Sequence, residues 1–237
     1  MDLQHQAMGY DRTATMFSPE GHLLQVEYAE KAIRLGPSSI GMICADGVFI
    51  LADKRIVDIL ISLESTSRIY EIDEHIISSV AGIVSDARIL IERAQLLSQQ
   101  HRVSYNSPIE PELVIKEIAN LKQQFSQYGG TRPFGVSLMV AGINRKKPEL
   151  FTSDVTGNYL SYNANAIGEN DERIKERLRE SYKKDLTIQK GIKLCIDILK
   201  EIHGDKFSTK KLELVYIKSD EGKLKRIEAG KIMEFMK

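Results

Sequence analysis

What most constrains the fold of this chain is the order of its strand-like and helix-like segments. "SIGMICADGVFILA", Ser39 to Ala52, reads as two apolar strands around a turn at Asp46-Gly47. "SRIYEID" and "HIISSVAG", the latter from His75 to Gly82, read as a second pair. Apolar residues then recur at helical spacing between Ser85 and Val103, at Ala87, Leu90, Ile91, Ala94 and Leu97. A second helix opens at Pro111, closes at Gly129-Gly130 and carries Leu113, Ile115, Ile118, Leu121 and Phe125. "GVSLMVAGI", "PELFTSDV" and "YLSYNANAIG" return to strands, and helices follow from Asp171 to Lys183 and from Thr187 to His203. The chain closes with "KLELVYIKS", a hairpin turn at Asp220-Glu221-Gly222, "KLKRIE" and a short helix. Strand blocks separated by helix pairs predict an α+β fold: two antiparallel sheets packed together with helix layers outside, not a βαβ parallel sheet. With no repeat, low-complexity tract or linker to interrupt it, residues 1–237 are expected to form a single domain.

Length allows a substantial core. The 33 basic residues are matched by 33 acidic ones, so the formal net charge is zero. That balance argues against nucleic acid as a partner and suits a subunit that assembles with its own kind. No apolar run reaches the roughly 18–20 residues of a membrane helix. "MDLQHQAMGY" lacks the basic and then apolar regions of a secretory signal, so a cytoplasmic protein with no membrane partner is expected. Cys44 and Cys195 form no C-x-x-C and sit among apolar residues, as buried thiols do. Nothing calls for a metal or a cofactor.

The N-terminal stretch is unusually structured for a leader. Ser18-Pro19-Glu20-Gly21 is a turn, with proline setting φ and glycine relieving strain. A helix should follow from about His22 to Leu35. Its apolar residues Leu23, Leu24, Val26, Tyr28, Ala29, Ala32 and Ile33 cover most of the circumference. Glu27–Lys31 and Glu30–Arg34 stand at the favourable i,i+4 spacing. So wide an apolar arc needs more than one neighbour to bury it, which points to a subunit interface. Residues 1–9 have no apolar pattern and are expected to be mobile. His22 is expected to be a surface or interface hydrogen-bonder, and Arg145-Lys146-Lys147 a solvated loop.

Several of these stretches together resemble the α-subunits of the 20S proteasome, of the archaeal type: "YDR", "FSPEG" and "QVEYA" in the leader, "ADKR" after the second strand, "AGIVSDAR" before the first long helix and "GGTRPFGVSL" after the second. The resemblance spans nearly the whole chain. It implies a four-layer α/β/β/α sandwich, the N-terminal-nucleophile hydrolase fold. It also implies a heptameric ring of α-subunits stacked on a catalytic ring of β-subunits.

Catalytic members of that fold use the amine and side chain of an exposed N-terminal Thr, Ser or Cys. Setting "PSSIG" beside their start puts Pro37 at the nucleophile position, with no hydroxyl and no free amine. Asp53 remains where the family's aspartate lies, so Pro37 and Asp53 form a vestigial nucleophile site. Arg68 falls near the place of the β-subunit lysine, and a guanidinium cannot give up a proton near neutral pH. The chain is therefore expected to be no peptidase by itself, the threonine endopeptidase activity belonging to the β-subunits. The alternative, an active serine- or threonine-type peptidase, requires processing that frees Ser38 or Ser39.

What the resemblance implies instead is gating and docking. The family's pore cluster maps onto Tyr10, Asp11, Pro19 and Tyr28, with Arg12 beside them and residues 1–9 as the mobile gate; 10–35 form its turn and helix. Regulatory ATPases and other activators would dock between adjacent α-subunits at Arg68 and Gly82, with Glu27 and Gly36 alongside. Most relatives carry lysine at the Arg68 position. Arginine keeps the charge for an activator's C-terminal carboxylate but presents a longer, planar head. The expected function is to template the ring, gate entry of unfolded polypeptide and receive activators.

Overall fold

The computed structural model of the chain describes residues 13, 15–54 and 60–235. Hairpin turns set the register of both sheets. β1 (Ser39–Cys44) returns as β2 (Gly47–Asp53) with Cys44 opposite Gly47, and β3 (Ile69–Asp73) returns as β4 (Ile76–Gly82). β5 (Val136–Asn144) returns as β6 (Lys147–Ser153) through a two-residue loop at Arg145 and Lys146, both left-handed at φ 48° and 70°. Those angles are what a tight hairpin demands, here met without glycine. β9 (Leu212–Lys218) and β10 (Leu224–Ile227) close the set. With β7 (Tyr159–Ser161) and β8 (Ala164–Ile167) at their edges, one sheet runs β10-β9-β2-β1-β8 and the other β3-β4-β5-β6-β7, antiparallel throughout.

Alternation along the strands sends side chains to two different cores. On β2, Val48, Ile50 and Ala52 face the second sheet's Ile77, Met139, Ala141 and Leu150, while Phe49 and Leu51 face helices. Those helices are α4 (Asp171–Ser181) and α5 (Ile188–His203), which contribute Ile174, Leu178, Ile192 and Cys195. On the far side α2 (Val84–Tyr105) and α3 (Pro111–Gln127) pack Leu90, Ile91, Val114 and Ile118 against Val80, Leu138 and Val140. Three apolar tiers between four layers give the α/β/β/α sandwich. A short helix, α6 (Ile232–Phe235), ends the described chain. Cys44 and Cys195 are buried as expected, and burial pushes both thiols up, Cys44 to about 12.

One expected strand divides. "YLSYNANAIG" forms β7 (Tyr159–Ser161) at the edge of one sheet and β8 (Ala164–Ile167) at the edge of the other. The chain crosses between them at Tyr162 and Asn163. The Tyr162 N–H donates to the Leu150 carbonyl at 2.8 Å, and the Asn163 carbonyl accepts from the Ile43 N–H at 2.8 Å. An alternating pattern reads alike on either sheet, so it cannot reveal such a crossing.

The leader helix α1 is Leu24–Arg34, two residues shorter at its start than the sequence suggests. The turn before it uses those residues: the Gly21 N–H donates to Ser18 O at 2.8 Å and the His22 N–H to Ser18 Oγ at 3.1 Å. α1 lies across β4 and β5, and its Val26 and Ile33 complete the core between the sheets. The expected i,i+4 pairs give way to other partners. Glu27 engages His22 at 2.7 Å, Arg34 reaches Glu172 at 3.9 Å, and Lys31 stands 5.6 Å above the Tyr28 ring.

Candidate functional site at the leader end of the sandwich

Where α1 meets the sheets, backbones come unusually close. A Cβ on Gly36 would lie 2.6 Å from the Gly82 nitrogen, and one on Gly168 only 2.4 Å from the Pro37 carbonyl oxygen. The Gly36 carbonyl also accepts from the Glu169 N–H at 2.8 Å. Pro37 is thus buried in the junction of α1, β4 and the turn after β8. The next residue is tied to β2, the Ser38 carbonyl accepting from the Asp53 N–H at 2.9 Å. The Asp53 backbone is thus paired with the residue that follows Pro37.

Among the described residues neither serine hydroxyl is bonded to a base. Ser38 Oγ is buried and unpartnered among the described residues. Ser39 Oγ lies 2.8 Å from Ser79 Oγ, which lies 3.0 Å from the Arg68 carbonyl oxygen. A carbonyl only accepts, so Ser79 donates to Arg68 and is left to accept from Ser39. This hydroxyl relay ends on backbone, not on a base.

Arg68 is half-buried at the mouth of β3, and both of its backbone groups are held. Its N–H donates to Glu213 Oε2 at 2.8 Å, and its carbonyl accepts from Ser79. Glu213, buried on β9, also accepts from Ser67 Oγ at 2.7 Å and pairs with Arg226 and with Lys54 at 3.8 Å. Burial, and then the charge of Arg226, lower the Lys54 pKa. Nothing in the sequence singles out Glu213 as part of this site. Its only local signal is a carboxylate in an otherwise apolar strand, "LELVYI".

The motifs either side of the first two long helices meet in space. Asp86, from "AGIVSDAR", accepts from both terminal nitrogens of Arg132 at 2.6 and 2.7 Å and from the Gly135 N–H at 3.0 Å. Burial opposes ionisation of Asp86, but the hydrogen bonds from Arg132 and Gly135 and the charge of Arg132 outweigh it and hold the pKa below its usual value. With the Ile83 N–H donating to Gly135 O at 2.9 Å, "GGTRPFG" is fastened to the strand end that carries Gly82.

Of the expected gate residues, Tyr10, Asp11 and Arg12, like residues 1–9, lie outside the described residues. Pro19 is exposed on its turn and Tyr28 is half-buried on α1. Gly36, Gly82 and Pro37 come together, and Arg68 joins Ser39 through Ser79. Glu27 stands in the first turn of α1, nine positions before Gly36, and its contact is with His22 and not with this cluster.

Other features do not compete with this site. A cleft of about 240 Å³ between α1 and α4 is charged, but its Lys175 pairs with Asp171 at 2.7 Å and its Arg34 with Glu172. Among the described residues no group of three or more His, Cys, Asp and Glu could hold a metal, and no helix is long and apolar enough to cross a membrane.

Comparison with known proteins agrees with the fold and with the motifs. The proteasome subunit family matches residues 33–217, and the N-terminal signature of A-type proteasome subunits matches residues 10–32. The chain is 40% identical over 229 residues to the proteasome alpha subunit of Methanosarcina thermophila, covering 97% of this chain and 93% of that protein. Identity to the proteasome alpha subunit of Methanocaldococcus jannaschii is 39% over 227 residues, 96% of this chain and 87% of that one. For Thermococcus sibiricus the match is 40% over 229 residues, 95% of this chain and 87% of its relative. The A-type signature lies on the turn and α1, and the wider family match covers the sandwich that α1 caps. The chain belongs to the proteasome α-subunit family.

Proposed function

We propose that this protein is a non-catalytic ring subunit of a 20S-type proteasome that templates assembly, gates entry and receives activators. The observation that carries the reading is Pro37: the position of the family's nucleophile is filled by a buried residue without hydroxyl or amine, behind a leader helix built into the core. Residues 1–237 then act as one proteasome-type domain. Seven copies form a ring on a ring of β-subunits, whose threonine endopeptidase activity degrades unfolded polypeptide in the cytoplasm.

In this reading Tyr10, Asp11, Arg12, Pro19 and Tyr28 hold the gate, and Arg68, Gly82, Gly36 and Glu27 serve the activator pocket. Support for Arg68 comes from a backbone held at both ends by Glu213 and Ser79. Support for Pro19 comes from the turn that joins the gate segment to α1. Native mass spectrometry should give multiples of seven chains, and deletion of residues 2–11 should raise peptide hydrolysis by the particle assembled with β-subunits. Unchanged hydrolysis sinks the gate. Recovery of active protein lacking residues 1–37 overturns the non-catalytic reading in favour of the peptidase.

A further inference from the structure

Three consecutive residues at the mouth of β3 are held by side chains of the other sheet. Glu213 Oε1 accepts from Ser67 Oγ at 2.7 Å, Glu213 Oε2 accepts from the Arg68 N–H at 2.8 Å, and Arg226 Nη2 donates to the Ile69 carbonyl at 2.9 Å. Glu213 is only 3% exposed, in a strand whose neighbouring residues are apolar. A carboxylate is costly to bury and fills space no better than an apolar residue would. What it adds is direction: two oxygens with fixed lone pairs, met here by Ser67, Arg68, Arg226 and Lys54.

The result is lopsided around Arg68. Its N–H and its carbonyl are both occupied by side chains, yet among the described residues no hydrogen bond or ion pair engages its guanidinium. That is how a side chain is presented to something outside the fold. We infer that Glu213 is a positioning residue: its buried carboxylate fixes the backbone from which Arg68 offers its guanidinium to a carboxylate of a docking partner. This rests on the reading of Arg68 as a docking residue, and it assigns a role to a residue 145 positions away in the sequence.

The test uses the full chain in its assembled particle and two short fluorescent peptides, one ending in a free carboxylate and its C-terminally amidated twin. Wild type should prefer the free carboxylate, and Arg68→Ala should remove the preference. Glu213→Gln, which replaces an acceptor oxygen with a donor, should weaken binding roughly tenfold or more, the scale of one charge-assisted hydrogen bond. Ser67→Ala should shift affinity in the same direction by less. A purely structural role would lower the saturating signal, by reducing the number of intact particles, and leave the affinity of the remainder alone.

If wild type shows no preference, or Arg68→Ala retains it, the Arg68 reading fails and the inference with it. If Arg68→Ala loses the preference while Glu213→Gln and Ser67→Ala bind like wild type, the positioning role alone is overturned. Should Glu213→Gln not assemble, Ser67→Ala decides by the same affinity criterion.

Discussion

Gly36 rests against Gly82 so closely that a Cβ on the first would stand 2.6 Å from the nitrogen of the second. This contact brings the end of the leader helix to the end of β4 and fixes where Pro37 enters the sandwich. Gly36→Ala should cost about 1–3 kcal/mol, because the atom it meets is backbone and cannot turn aside. Gly82→Ala should cost more. Its φ is +118°, and the new Cβ would lie 2.1 Å from Gly135 O. Chemical denaturation of both variants, ranked against wild type, checks the order.

Asp86 and Arg132 fasten the two family motifs around the helix pair. Asp86→Asn should destabilise the chain at neutral pH by about 1.5 kcal/mol, the low end for charged hydrogen bonds because Arg132 is solvent-screened. The folded pKa of Asp86 lies below its unfolded value, so its contribution is present above the unfolded value, about pH 4, and fades as pH falls through the folded pKa. Denaturant midpoints taken from pH 7 down to pH 3 should show wild type and variant converging at the acid end.

Lys122 makes the opposite kind of prediction. It is fully buried on α3, with Nζ 3.1 Å from Ser153 Oγ and 3.3 Å from Ser153 O. Burial lowers its pKa to about 7, against a weaker pull upward from Asp154. Below pH 7 both folded and unfolded chains carry the proton. Between about 7 and 10.5 only the unfolded chain holds it, so stability should rise with pH across that window, by up to about 1.4 kcal/mol per unit. Lys122→Met should flatten the slope and be neutral or stabilising at pH 7. Ser153 keeps partners in Ser137 and Asp154. Thermal melts at fixed protein concentration from pH 6.5 to 9.5 measure it.

Pro19 is exposed at the second position of the Ser18–Gly21 turn, where nothing in the core needs it. Pro19→Ala should leave thermal stability within about 0.5 kcal/mol. If the turn sets the gate, peptide hydrolysis by the assembled particle should rise, though less than on deletion of residues 2–11. A change in stability without one in hydrolysis would mark Pro19 as a plain turn residue.

How far the sequence can be read depends on how local each decision is. The hairpin turn at Asp220-Glu221-Gly222, the Ser18–Gly21 turn and the proline start of α3 are settled by a few adjacent residues, and all are found. The buried face of α3 lies one step round from the one its apolar residues suggest. Leu121 and Phe125 are only half-buried, whereas Val114, Ile115, Ile118, Ala119 and Lys122 line the buried face. That row does keep helical spacing, so the signal is present, but a lysine within it argues the other way.

By itself the sequence determined the order of strands and helices, the hairpin at Asp220-Glu221-Gly222, and the leader's turn and helix. Each follows from backbone preference, hydrophobic period or residue chemistry within a short window. Only tertiary structure decided that the chain changes sheets at Tyr162 and Asn163, that Asp86 meets Arg132, that Lys122 is buried, and that Glu213 holds Ser67 and Arg68. Those contacts join segments far apart in the chain, so which donors meet a buried carboxylate or an open sheet edge is set by how whole layers stack.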